Sequence, residues 1–373
     1  MADNFIMNTE KLKASSVRID LLDYARFAAA LAVVGFHYFF LLVESHSVAT
    51  PSVLEKIAGF SKYGYLGVEL FFIISGYVIF FSAGNRTPAQ FAISRAIRLY
   101  PAFIFALLFT SASVIFFRNK GNAIYLSQFL TNLTMVPGLF GRDTVDGSYW
   151  TLQPELCFYG IVLLALLLNK SETLKRFFLL WPWMIVAASA FGGDALPGIG
   201  GYYSYFAAGA LFAMQRTVQS KWIPISLTVA FYSSLNHSVV LALHEACNPV
   251  VVIAAISAFY LFFWLLCNEA VRTLRLPMAP LLGALTYPLY LIHLRIGHII
   301  IRHFANDQNK LVVILLTVVG MLGFSYLMHR AIEQHFYPVW RSIFLHLVGV
   351  PVKKMERVLT ILIEVLHRYI KRV

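Results

Sequence analysis

The chain has 373 residues, of which 59% are hydrophobic and only 13% charged, and its mean hydropathy is +0.71. No soluble domain needs so many apolar stretches of membrane-spanning length, so the composition predicts an all-α polytopic membrane protein. The net charge of +12 comes from basic residues that lie mostly between these stretches, which indicates topology signals and argues against a nucleic-acid surface. The odd number of cysteines, three, indicates no disulfide framework.

Ten apolar stretches have the length and composition of transmembrane helices. Their predicted ranges are 20–43, 65–83, 98–117, 150–168, 177–191, 202–216, 223–243, 250–267, 280–302 and 311–334. The first is too long for the core of a signal peptide and lacks a small-residue cleavage site, so we expect it to remain as a span. The stretch 119–149 is too polar to span easily and is predicted to be a loop, with a partly re-entrant segment as the alternative.

The basic residues predict the orientation of the spans. With the N-terminus in the cytoplasm, most cations between spans fall inside, namely Lys11, Lys13, Arg18, Arg86, Arg95, Arg98, Lys170, Lys175, Arg176, Arg216, Lys221, Arg272 and Arg275. The positive-inside rule therefore favours cytoplasmic termini and a cell membrane, in a bacterium the inner one. The predicted organisation is a cytoplasmic segment (1–19), a transmembrane domain (20–335) and a cytoplasmic tail (336–373).

The tail carries basic and apolar residues at helical spacing. The polar face consists of Lys353, Lys354, Arg357, Glu364, His367, Arg368 and Lys371, opposite Val358, Leu359, Leu362, Ile363, Leu366 and Ile370. This pattern predicts a basic amphipathic helix that lies on the inner membrane surface. A partner-binding helix or a frayed end is the alternative.

Three ionisable residues lie inside the first span, in the run DYARFAAALAVVGFHYFF. A helix turns about 100° per residue, so His37 returns to within roughly 20° of Arg26 after eleven residues, and Asp23 lies on the same stripe. Ionisable groups at membrane depth are costly and mark functional sites by default. The pattern therefore predicts that a substrate meets this face.

One imidazole and two carboxylates reach a similar depth in the outer half of the membrane. His37 lies about 9 Å below the outer end of its helix, Glu155 lies about 7 to 8 Å deep, and Glu69 lies just inside the boundary. We expect the three to share one cavity, because lone carboxylates facing lipid would be far costlier. A histidine with a carboxylate partner is suited to general-base catalysis. A histidine bonded only to a neighbouring helix is the structural alternative.

Arg95 and Arg98, three residues apart in FAISRAIRLYP, precede the third span at its cytoplasmic end. Arginines gathered at a pore mouth bind phosphates in a bidentate way, although plain topology anchoring explains the same spacing. Arg26 is the stronger candidate because it lies within the inner half of its span.

Two further segments bear on the site. LTYPLYLIH in the ninth span places Thr286 and His293 on one face with Tyr290 beside them, so His293 is a candidate either for the cavity or for the core. Arg295 lies off that face near mid-membrane and has no predicted partner. The Ser75–Gly76 pair in the second span favours close helix packing. No metal-ligand spacing occurs among the histidines and acids near the outer loops.

Together these segments resemble the acyltransferase-3 family of membrane acyltransferases. DYARFAAALAVVGFHY is similar to the family's first-helix motif, GVELFFIISGY to its second-helix block, and FAISRAIRLYP to its arginine-rich third helix. YWTLQPELCFY resembles the block in which a Glu follows W(S/T)L, and LTYPLYLIH resembles a late helix. Leu156 and Cys157 depart from the Glu and Gln that many members carry there.

The resemblance implies transfer of an acyl group, usually acetyl, from cytoplasmic acyl-CoA to a hydroxyl of a glycan or glycolipid at the outer side. His37 and Arg26 match the family's essential residues, Glu69 and Glu155 match its acidic positions, and Arg95 and Arg98 match positions expected to contact donor phosphates. We therefore expect a stand-alone, metal-independent O-acyltransferase with acyl-CoA, a carbohydrate acceptor and membrane lipid as partners. Whether His37 is a base or carries the acyl group is left open, and so is homo-oligomerisation.

Two other functions are compatible with the same residues. A multi-pass transporter or flippase of a glycan or lipid intermediate would use the charges as a substrate or proton path. A non-enzymatic subunit of a glycan-assembly complex would tolerate apolar substitutions at His37. Dependence on acyl-CoA distinguishes the enzyme from both.

Overall fold

A computed structural model describes residues 18–41, 52–84, 86–117, 124–168, 171–193, 196–306 and 308–370. Within these ranges the fold is built from helices and contains no strand, so the chain is an all-α polytopic membrane protein, as predicted. The helices are α1 (Asp20–Gly35), α2 (Ser52–Ser61), α3 (Gly67–Gly84), α4 (Pro88–Phe116), α5 (Leu126–Asn132), α6 (Leu152–Leu167), α7 (Ser171–Ala190), α8 (Tyr203–Gln215), α9 (Trp222–His244), α10 (Pro249–Leu265), α11 (Glu269–Arg272), α12 (Ala279–Phe304), α13 (Lys310–Met328), α14 (Tyr337–Phe344) and α15 (Val350–Ile370).

Seven helical segments are long and apolar enough to cross a membrane, within the residues described. They are Asp20–Leu41, Lys56–Gly84, Pro88–Phe116, Gly147–Leu167, Trp222–His244, Ala279–Phe304 and Lys310–His335. The other three predicted spans are also helices, α7, α8 and α10. With 13 residues, α8 extends only about 20 Å, less than the roughly 30 Å hydrocarbon core, and all its side chains except that of Gln215 are buried inside the protein.

The buried helix α8 packs directly on α3 through two glycines. A Cβ atom on Gly76 would lie 2.0 Å from the carbonyl oxygen of Phe206, and one on Gly209 would lie 1.9 Å from that of Ile73. Only glycine permits this backbone approach, which is a common way to bring membrane helices together. The close packing predicted at Ser75–Gly76 is confirmed.

Helices α1 and α12 lie side by side and run in the same direction. Asp23 faces Gly283 near their N-terminal ends, and Tyr38 faces Gly297 fourteen residues further along α12. Beyond Gly35, α1 continues as a π-helical segment, Phe36–Leu41. The hydroxyl of Tyr38 donates a hydrogen bond to the carbonyl oxygen of His293 over 2.6 Å, which fixes this segment against α12.

The predicted loop 119–149 is described from residue 124 onward, residues 119–123 lying outside the described ranges, and the described part contains no helix of spanning length. Its longest helix is α5, with seven residues. The buried side chain of Asn132 donates to the carbonyl oxygen of Asp143 over 3.0 Å and accepts from the backbone nitrogen of Val145 over 2.9 Å. This anchoring places the 3-10 turn Gly147–Thr151 at the start of α6.

The tail forms a helix, as predicted, and its first turn contacts the start of α4. Val352 is buried with Ala89 and Ala92, and a Cβ atom on Gly349 would lie 2.7 Å from the side chain of Ile93. Further along α15, Val358 and Leu362 are exposed. Their position on the membrane surface stays a prediction.

Candidate active site

The predicted site residues line two neighbouring cavities. The first, which we call the arginine cavity, has a volume of about 130 Å³ and is lined by Arg26, Arg95, Arg98, Glu155, Thr286 and other residues. The second, the His37 cavity, has a volume of about 210 Å³ and includes His37, Glu69 and Trp150. Val68 and Tyr290 line both cavities and therefore form the partition between them.

The arginine cavity concentrates positive charge. Arg26 lies 3.6 Å from Asp23, whose carboxylate is also paired with Arg18, and Arg98 lies 3.9 Å from Glu333. Arg95 instead lies over the ring of Tyr159, at 5.7 Å from the ring centre. Three guanidinium groups around one small cavity favour an anionic ligand, and their planar forks suit phosphate oxygens.

Glu155 belongs to the arginine cavity, so the expected single cavity with both carboxylates beside His37 is not observed. Its carboxylate accepts hydrogen bonds from the hydroxyl of Tyr159 and, over 3.2 Å, from that of Ser75. Tyr290, which lines both cavities, lies between Glu155 and His37. Any interaction between Glu155 and His37 must therefore pass this partition.

Glu69 lies in the same cavity as His37 and is almost fully buried, with 1% of its surface exposed. Its Oε2 atom has no hydrogen-bond partner among the described residues. A buried carboxylate oxygen without a donor is costly, so it marks a position where a ligand hydroxyl can donate.

His37 lies on the π-helical segment and is hydrogen-bonded to a second histidine. Its Nδ1 atom is 3.0 Å from Nε2 of His293, and Nδ1 of His293 is 2.7 Å from the carbonyl oxygen of Tyr290. A carbonyl oxygen only accepts, so a neutral His293 donates from Nδ1 and accepts at Nε2. His37 must then donate from Nδ1, which leaves Nε2 as its basic nitrogen. His293 is fully buried and lines neither cavity.

The side chain of Tyr290 is fixed from both sides. Its hydroxyl lies 2.9 Å from the hydroxyl of Thr151 and donates to the carbonyl oxygen of Ser148 over 3.2 Å. The ring of Phe71 packs against it at 5.8 Å between ring centres. A long, thin molecule that reaches from one cavity to the other must pass this ring.

Arg26 and His37 lie on the same helix but line different cavities. Eleven residues at 1.5 Å per residue separate them by about 16 Å along the axis of α1. Although their spacing predicts a common face, the two residues line two different cavities that follow each other along the helix axis. This arrangement suits a ligand with a charged end and a reactive end joined by a narrow arm.

Aromatic side chains form much of the lining of the His37 cavity. The rings of Trp150 and Tyr202 lie 5.2 Å apart, and Tyr65 and Phe36 add further ring surface. Glu245 and Lys62 supply the polar groups there, and Lys62 donates to the carbonyl oxygen of Ala246 over 2.7 Å. Rings with a few polar groups are typical of pockets that fix an organic ligand in one orientation.

Asp146 and His298 support the site but were not predicted from the sequence. Asp146 is fully buried and accepts hydrogen bonds from Ser148 and from the backbone nitrogen of Arg295. Burial raises the pKa of its carboxyl, and these hydrogen bonds oppose the rise. The D-G-S sequence is a helix N-cap signal that could have identified Asp146. His298 lies five residues after His293, off its helical face, so periodicity could not identify it.

Comparisons with known proteins indicate which kind of protein the chain is similar to. The family model Acyl_transf_3, described as an acyltransferase domain, matches residues 19–330. The chain is 26% identical over 262 residues to BcsY of Komagataeibacter xylinus, named as a membrane-bound transacylase, which covers 63% of this chain and 67% of that protein. It is 27% identical over 126 residues to the exopolysaccharide production protein ExoZ of Rhizobium meliloti (strain 1021), covering 31% of this chain and 39% of that protein. No solved structure matches significantly.

Proposed function

Because the chain belongs to the acyltransferase-3 family and is thus a membrane acyltransferase, we propose that it transfers an acetyl or similar acyl group from acyl-CoA to a hydroxyl of a glycan or glycolipid. The observation that carries the proposal is the pair of cavities on either side of Tyr290, one with three arginines and one with His37. A phosphate-bearing thioester and a neutral polyol need these two different environments.

The donor belongs in the arginine cavity. Its phosphates bind Arg95 and Arg98 at the mouth, and Arg26 binds deeper. A volume of about 130 Å³ is small beside the roughly 300–1,000 Å³ of pockets that enclose a drug-sized ligand, so the cavity holds the arm of the donor rather than its nucleotide. The arm passes Tyr290 and carries the thioester to His37.

The chemistry follows from the tautomer of His37. The acceptor hydroxyl gives its proton to Nε2 of His37, and its oxygen attacks the thioester carbonyl to form a tetrahedral intermediate. When the intermediate collapses, the carbon–sulfur bond breaks and the imidazolium returns the proton to the leaving sulfur. The products are the ester and free CoA thiol. His293 stabilises the imidazolium by accepting from Nδ1 throughout.

The two carboxylates have separate roles in this proposal. Glu69 accepts a hydrogen bond from the acceptor and orients it, since its Oε2 atom lacks a donor. Glu155 acts on the donor side, where it positions the hydroxyls of Tyr159 and Ser75 along the arm. Neither carboxylate is the partner of His37.

The acceptor is a carbohydrate in this proposal. The rings of Trp150 and Tyr202 provide an apolar platform beside polar groups, which suits a sugar ring with its mixed faces. The relation to a protein named for exopolysaccharide production supports the same class. The excess of basic residues at the donor end supports a cytoplasmic donor and transfer to the outer side.

The test uses membrane vesicles that contain the native chain or His37→Ala and are supplied with acetyl-CoA labelled in its acetyl group. We expect alkali-labile label in the glycan or lipid fraction, together with free thiol, only with the native chain. His335→Ala is the matched control, because His335 is exposed and lines neither cavity.

Two outcomes would contradict the proposal. Substantial transfer by His37→Ala at equal expression would exclude His37 as the base. A labelled product that depends on an ion gradient and not on acetyl-CoA would favour a transporter.

A further inference from the structure

A third cavity lies where α4 ends beside the last turns of α12. Its volume is about 300 Å³, and four basic-type side chains line it together with Val114 and Phe117. The four are Arg295, His298, Arg302 and His303. We call this the basic cavity. It shares no lining residue with the arginine cavity or the His37 cavity.

The charges of the basic cavity are not balanced within the described part of the chain. No described carboxylate forms an ion pair with Arg295 or Arg302. Asp146 interacts electrostatically with Arg295 and His298, and its oxygens also accept from Ser148 and from the backbone nitrogen of Arg295. One carboxylate offsets only one of the two fixed positive charges, so the remaining charge on this membrane-spanning helix requires a further counter-charge.

The spacing of the basic residues along α12 indicates which chemical group they can bind together. Residues 295 and 302 are two helical turns apart and lie on one stripe of α12, which separates their backbones by about 10 Å. Two arginines at this distance can bind one oxyanion group from two sides, because their side chains are long and their forks bidentate.

An apolar groove adjoins this stretch of α12. It has a volume of about 420 Å³ and is lined by Ile300 and Phe304 of α12 with Leu316 and Phe324 of α13. Thr317 contributes the one side-chain oxygen among the lining residues, and its hydroxyl already donates to the carbonyl oxygen of Val313 over 2.7 Å. Residues 299 and 303 line the basic cavity, and their neighbours 300 and 304 line the groove.

We propose that the basic cavity binds the phosphate headgroup of an anionic lipid, with an acyl chain of that lipid in the adjoining apolar groove. Basic pockets between membrane helices bind lipid headgroups on the cytoplasmic side of other membrane proteins, and the same charges would bind a headgroup at this end of α12. The position next to the groove favours a lipid over a free phosphate, because only a lipid fills both. The inference goes beyond the proposed acyl transfer and does not depend on it.

The site also touches the segment that carries His37. The Nε2 atom of His298 donates to the carbonyl oxygen of His37 over 3.1 Å, so a group of the basic cavity is bonded to the π-helical segment. A bound headgroup next to His298 would therefore restrain this segment.

The test measures the thermal midpoint of the purified chain in a neutral detergent. Phosphatidylglycerol, phosphatidylcholine or inorganic phosphate is titrated against the native chain, Arg302→Gln and Arg295→Gln/Arg302→Gln. We expect phosphatidylglycerol alone to raise the midpoint, and its apparent affinity to fall about tenfold or more in both variants. The control, Lys56→Gln/Arg142→Gln, removes the same charge from two exposed residues that line none of these cavities, and should stay within twofold of the native chain.

Each other outcome overturns part or all of the proposal. An unchanged response to phosphatidylglycerol in both arginine variants, or an equal response to phosphatidylcholine, excludes the headgroup site. An equal rise with inorganic phosphate excludes the lipid as the occupant. Arg302 is exposed, so Arg302→Gln tests the site even where the double variant fails to fold.

Discussion

The hydrogen bond between the two histidines makes a quantitative prediction about His293. We consider His293→Phe, which keeps a buried ring but removes the acceptor 3.0 Å from Nδ1 of His37. The donor N–H of His37 then has no partner at this position, and the imidazolium formed during transfer loses a charge-assisted hydrogen bond.

The expected effect follows from the strength of that bond. Hydrogen bonds to charged groups contribute about 1.5–3 kcal/mol. At roughly 1.36 kcal/mol per tenfold change in rate, His293→Phe should lower kcat about 10- to 150-fold. The KM for acyl-CoA should change little, because His293 does not line the arginine cavity.

The assay follows release of free CoA thiol with labelled acetyl transfer in vesicles, at saturating and limiting acetyl-CoA. His293→Gln is the companion variant, because its amide oxygen can accept from His37 and should restore much of the rate. A kcat within threefold of the native value in folded His293→Phe would refute the reasoning. Equal loss in both variants would also refute it, because the effect would then come from packing and not from the acceptor.

Two further predictions concern the packing of α8 and the arginine cavity. Gly76→Ala places a Cβ atom 2.0 Å from a backbone oxygen of α8 and should destabilise the fold by about 1–3 kcal/mol, seen as a lower thermal midpoint. Gly84→Ala on the same helix meets no atom within 4 Å, so an equal drop there would contradict this explanation. Arg95→Gln/Arg98→Gln should raise the KM for acyl-CoA at least tenfold with little change in kcat. Arg341→Gln, which removes an exposed arginine outside the cavity, is its control, and a selective loss of kcat in the double variant would contradict donor binding.

The spans and their helical type were predictable from the chain because they depend on local properties. Length and apolar content decide whether a segment can cross a membrane, and backbone groups in lipid must bond within their own helix. All ten predicted spans are therefore helices, including α8, which is too short to cross but is still apolar. Helical spacing also gave the direction and depth of Arg26 and His37 along α1.

The division of the site was not predictable from single helices. Glu69 and Glu155 were expected to share one cavity with His37, yet Tyr290 from α12 separates Glu155 from His37. Periodicity gives the angular position of each residue about the axis of its own helix. It contains no information about which faces of different helices meet.

The lateral packing of the helices decided which residues of different helices come together. The sequence by itself determined an all-α membrane protein, its apolar helices and the set of ionisable residues within them. Only the tertiary structure paired His37 with His293 and gathered Arg295 with Arg302 at a separate cavity. The physical reason is that close backbone contacts, such as Gly297 against Tyr38, fix the offset between helices far apart in the chain.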